Sequence, residues 1–184
     1  MRYHVMCPGA LGDSSWLIRS QDGSVSYQVA DKNWAAERAF ALLDARSVVV
    51  AEGRMRNTWR HRVCDLYRSG ELAAHISTSV LRDIRTSFVG EMPAPDRLYL
   101  EGDFPEQQYS FFRCSRSVAV VSTVWDESDE CGFGVEIRRG EDHVMILAAT
   151  LAIRALCGER PRTRIIARPA WQGVQASVPQ RAAV

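Results

Sequence analysis

The densest set of groups able to hold an anion is Arg54, Arg56, Arg60, His61 and Arg62, with Trp59 among them. A guanidinium grips a phosphate through two parallel N–H donors, so four guanidinium groups in so short a stretch point to anion binding. In an extended chain Arg54 and Arg56 share one strand face, and so do Arg60 and Arg62. The plainer alternative is a solvated strand end with its connecting loop. A second set, Asp126, Glu127, Asp129 and Glu130, offers the hard oxygen ligands that calcium takes. It lacks the spacing, central glycine and final glutamate of an EF-hand loop, and an acidic hairpin loop accounts for it equally well. The third is thiol–imidazole chemistry. Cys64, Cys114 or Cys131 could be matched with His61, His75 or His143, but no spacing sets a thiolate beside a base or a positive helix end. No Cys/His pair has zinc-ligand spacing, and the sequence implies no cofactor.

The scaffold for these groups is bounded by size and charge. At 184 residues the chain suits one domain with a full hydrophobic core. The net charge of +1 favours no class of partner, and nucleic acid binding is not expected. The charge is uneven, however. Residues 159–184 carry Arg160, Arg162, Arg164, Arg168 and Arg181 against Glu159, a net of +4, which leaves the rest mildly acidic. This stretch reads as a basic, disordered tail beyond a domain at 1–158. Trp171 within it could dip into a membrane interface or dock on a partner. Five cysteines (Cys7, Cys64, Cys114, Cys131, Cys157) without a C-x-x-C pair, and no apolar leader, suggest a reducing cytoplasmic setting.

Period-two alternation recurs along the chain. Val25, Tyr27 and Val29 alternate with polar neighbours, as do Phe133, Val135 and Ile137. The runs pair across short turns: 16–19 with 24–30, 39–43 with 48–52, 60–67 with 72–77, and 109–113 with 118–125. Asp22-Gly23 and Ser69-Gly70 supply the positive φ that tight hairpins need. Trp34, Tyr99, Phe111, Phe112 and Trp125 read as core or barrel wall. One stretch breaks the pattern, because Val144–Cys157 is a helix-forming apolar run with Arg154 as its one charge. Asp142 stands where an N-cap belongs, and Gly158 where a left-handed C-cap belongs. Fourteen residues rise about 21 Å, short of the roughly 30 Å of a bilayer's hydrocarbon core, so the helix is expected inside the protein. Many short strands with one such helix predict a sheet wrapped around it.

The order of elements carries a resemblance. Trp16–Arg19 with Gln21-Asp22-Gly23 precedes Tyr27-Gln28-Val29, and then Phe40–Asp44. Leu98–Asp103, Val118–Ser122 and Gly140–His143 follow, the last running into the apolar helix. This order, over about residues 1–157, resembles the LURP-one-related family within the tubby C-terminal-like group, to which phospholipid scramblases are related. The resemblance implies a closed antiparallel barrel of about twelve strands around a central C-terminal helix. Tubby proteins bind phosphoinositide headgroups and scramblases are linked to calcium-dependent lipid movement, but neither activity follows from fold alone.

The resulting expectation is a monomeric, non-catalytic binding module, cytoplasmic or peripheral at a membrane. Its ligand would be an anionic phospholipid headgroup or another phosphorylated group, held by Arg54, Arg56, Arg60 and Arg62. The alternatives are a protein-interaction or structural domain without a small ligand, and a thiol-based enzyme.

Overall fold

The computed structural model describes residues 1–6, 16–34, 37–57, 61–79, 98–123 and 132–157. In chain order the elements are β1 (Arg2–Met6), β2 (Trp16–Ser20), β3 (Val25–Trp34), β4 (Glu37–Asp44), β5 (Val49–Asn57) and β6 (His61–Arg68). They continue with β7 (Glu71–Ser79), β8 (Tyr99–Asp103), β9 (Gln108–Arg113), β10 (Arg116–Ser122), β11 (Gly132–Ile137) and α1 (His143–Cys157).

The turns form for local reasons. Asp44 accepts the backbone N–H groups of Arg46 and Val48, both at 2.9 Å, and so closes the β4–β5 turn, where Ser47 has φ +64°. Gly23 at φ +84° closes the β2–β3 turn, where L side chains are strained. There Asp22 accepts hydrogen bonds first from Ser20 and then from Ser24, which hold its carboxyl down at about 2.

All strands join one antiparallel sheet in the order β7-β6-β5-β4-β3-β2-β1-β11-β10-β9-β8. The strand beside β2 is β1, which also pairs β11, with Val5 opposite Ile18 on one side and Phe133 on the other. Neither alternation nor a turn signal had marked Arg2–Met6 as a strand.

The helix explains the curvature of the sheet. Every residue from Met145 to Ile153 is buried. That run makes about two and a half turns, so all sides of α1 are covered, and a flat sheet covers only one. Ion pairs show the same wrapping. Arg68, at the end of β6, pairs with Asp142, while Arg113, at the end of β9, reaches Glu141 at 3.0 Å. Strands far apart in the sheet order thus meet at the start of α1. The inner face supplies Val5, Ile18, Leu42, Leu66, Ile76, Phe111, Val135 and Ile137 to a single core with the helix.

The expected mainly β architecture with its enclosed helix is therefore observed. The count and the closure differ. Eleven strands are described, and no backbone pairing among them joins β7 to β8. Strict alternation over eleven strands makes the two edge strands run the same way, so a direct pairing between them would have to be parallel. Residues 80–97, between β7 and β8, lie outside the described residues.

Candidate anion-binding surfaces

The arginines of β5 and β6 part company in the folded chain. Ala51, Gly53 and Met55 face inward, so Arg54 and Arg56 face outward. Arg54 lies over the ring of Tyr67, 4.5 Å from its centroid, and is 3.6 Å from Glu52. Arg56 pairs with Asp65 at 2.5 Å. Arg62, in step with inward-facing Cys64 and Leu66, instead donates to the carbonyl of Leu156 at 3.2 Å. It satisfies one of the acceptors left open in the last turn of α1 and suits the negative end of the helix dipole. Arg60 lies outside the described residues, as do Asp126, Glu127, Asp129 and Glu130.

The outward face of β6 holds a group not anticipated from sequence. Asp65 is only 5% exposed although it points away from the core. One carboxylate oxygen takes Arg56, and the other is 2.7 Å from Nδ1 of His75 on β7. A carboxylate on Nδ1 fixes the tautomer of an imidazole and leaves Nε2 outward. Asp65 already balances Arg56, so this face offers little free positive charge.

Free positive charge lies at the end of the sheet where α1 begins. The β2–β3, β4–β5, β6–β7 and β9–β10 turns all open at this end, together with the loop from Ile137 to His143. Arg46, Arg116, Arg138 and Arg139 are exposed on three of these segments and form no ion pair among the described residues. Beneath them, Nδ1 of His143 is 2.8 Å from the Tyr3 hydroxyl. Burial, reinforced by the chain's amino terminus, depresses the pKa of His143, while burial raises that of Tyr3. The pair therefore fits a neutral imidazole accepting from the hydroxyl.

At the opposite end Arg154 packs over the rings of Trp16 and Phe133, at 5.0 and 5.6 Å from their centroids. Its guanidinium reaches the rim through aromatic contacts, as a cation in the last helical turn can. Of the expected wall aromatics, Phe111 is buried and Tyr99 is half exposed.

Thiol chemistry finds no support at Cys64. The side chain is buried in the core, and burial, then the Asp65 charge, push its thiol up to about 12, so it carries no thiolate near neutrality. Cys114 is exposed in the β9–β10 turn, and Cys7 and Cys131 lie outside the described residues. Among the described residues, no cluster of three or more His, Cys, Asp or Glu could hold a metal ion. No described helix is long and apolar enough to cross a membrane.

No family model and no curated protein matches the chain. A solved structure does: the X-ray structure of the Arabidopsis thaliana protein AT5G01750, a LURP-one-like protein, superposes with a TM-score of 0.56. The match covers 83% of this chain and 88% of that one, at 13% sequence identity. At that identity the likeness establishes a shared fold: one large antiparallel sheet with a single C-terminal helix packed against it.

Proposed function

We propose that the protein is a non-catalytic binding module for an anionic phosphorylated group, either a phospholipid headgroup or a soluble phosphorylated ligand. One observation carries the reading. Arg46, Arg116, Arg138 and Arg139 stand exposed at one end of the sheet with no carboxylate partner among the described residues. Guanidinium groups left unpaired are the natural donors for phosphate oxygens. The Arg54–Arg62 stretch contributes less, since Arg54 and Arg56 face carboxylates and Arg62 serves the helix end.

The test is co-sedimentation with phosphatidylcholine vesicles, with and without phosphatidylserine, beside titration of soluble inositol hexakisphosphate at low salt. Binding to the charged vesicles or to the soluble polyphosphate, weakening as salt is added, supports the proposal. Equal recovery with both vesicle types, together with no response to the polyphosphate, removes it. A protein-interaction domain without a small ligand would instead capture one stoichiometric partner, unaffected by Arg138→Glu and Arg139→Glu.

A further inference from the structure

The end of the sheet that carries the unpaired arginines also carries exposed apolar side chains. Val48, at the β4–β5 turn, is 56% exposed, and Leu72, just past the β6–β7 turn, is 60% exposed. The two turns are neighbours, because β5 pairs with β6. Neither residue is needed by the core. Ala51 and Val50 behind Val48, and Ala73 and Ala74 behind Leu72, make the inward contacts. Arg46 stands in the same turn as Val48. Arg138 and Arg139 sit in the loop entering α1, and Arg116 begins β10.

This distribution discriminates among anionic ligands. A small phosphorylated molecule requires donors converging on one point, and it gives no reason for apolar turns. The guanidinium groups here are spread over separate segments of one end, and the aliphatic side chains Val48 and Leu72 stand on the two neighbouring turns at and beside Arg46. An extended anionic plane with an apolar layer beneath it meets both features. We propose that this end of the wrapped sheet docks on an anionic bilayer surface. Arg46, Arg116, Arg138 and Arg139 lie at the phosphate level, and Val48 and Leu72 enter the boundary between headgroups and acyl chains. The inference rests on the anion-binding reading above and adds to it the partner and the orientation, with α1 pointing its first turn at the membrane. The carboxylates of Asp22 and Asp44 at this end are engaged by hydrogen bonds within their own turns. Both keep their negative charge, and with exposed Glu71 beside Leu72 they oppose docking against the four arginines.

The experiment uses the full chain with phosphatidylcholine vesicles, with and without phosphatidylserine, and inositol hexakisphosphate as a soluble control. Arg138→Gln with Arg139→Gln should weaken binding to the charged vesicles by about tenfold or more. Val48→Ser with Leu72→Ser should weaken it by a similar factor while preserving its salt dependence. Glu71→Gln should strengthen it. All the substituted side chains are exposed, in turns or at a strand end, and unchanged melting temperatures establish that each variant folds. If the parent binds charged vesicles and these variants bind equally well, docking occurs elsewhere and the inference falls while the anion reading stands. If the parent binds only the soluble polyphosphate, the bilayer inference again falls alone. If it binds neither, both fall.

Discussion

Arg68 and Asp142 form an ion pair that fastens the β6–β7 hairpin to the first turn of α1. Asp142 is also the helix cap: its Oδ1 accepts from the backbone N–H of Met145 at 3.2 Å, and its carbonyl accepts from that of Ile146 at 3.1 Å. The two roles separate by substitution. Asp142→Asn keeps a capping oxygen and loses the charge, so it should cost under about 1 kcal/mol, because both partners are partly in water. Asp142→Ala loses both and should cost about 1–2 kcal/mol. Urea unfolding of the two variants, with Arg68→Ala as a third, reads the difference, and equal losses for Asn and Ala would deny the cap.

Enclosure of α1 makes a stronger prediction. Leu147 is fully buried on a helix covered on every side. Leu147→Asp places an unpaired charge there, at a cost of several kcal/mol against a typical stability of about 5–15 kcal/mol. The variant should not fold, as judged by near-ultraviolet circular dichroism. A variant that melts with the parent would contradict the enclosed helix.

The depressed pKa of His143 sets a pH dependence. In the unfolded chain a histidine takes up its proton near pH 6.5, and in the fold it does so at lower pH. Between those values the unfolded state binds more protons, so stability falls as pH drops through 6.5 and levels off below the folded value. His143→Gln should remove this component. Denaturation midpoints of parent and variant should then diverge above pH 7 and converge toward pH 5. A constant difference across that range would mean that His143 does not titrate differently in the two states.

Asp65 predicts an asymmetry across one ion pair. Its side chain is 7% exposed, whereas that of Arg56 is 54% exposed. Arg56→Ala leaves a sheltered carboxylate with His75 as its remaining partner, and should cost about 1–2 kcal/mol once solvent screening is allowed for. The loss should shrink in Arg56→Ala/Asp65→Asn, where no charge is left behind. Thermal unfolding of the single and double variants would check this, and additive losses would deny the coupling.

Much of the fold was legible because its signals are local. The β2–β3, β4–β5, β6–β7 and β9–β10 hairpins announce themselves by alternation across short polar turns, two of which carry Asp22-Gly23 and Ser69-Gly70. The apolar run after Asp142 marks the helix to within a residue. The side-chain constellations were less legible, because they depend on register and topology. Reflection about the Ser69-Gly70 turn would set Asp65 opposite Ala74. A β-bulge between Leu66 and Tyr67 shifts the pairing by one and sets it opposite His75. Arg62 follows its strand's alternation to the inner side, so a run of arginines in sequence is not a cluster in space. Arg46, Arg116, Arg138 and Arg139 are scattered in sequence and come to one end only through the strand order.

The position of α1 at the end of the strand order has a consequence for biogenesis. Ribosomes deliver every stave before the spindle they surround. Until Met145–Leu156 emerges, the linings of β1 to β11 have nothing to close upon, and nascent chains expose Ile18, Leu42, Leu66 and Phe111 together. A chain terminated ahead of His143 is therefore expected to precipitate or to require a chaperone, whereas supplying the missing segment as a separate peptide should rescue it.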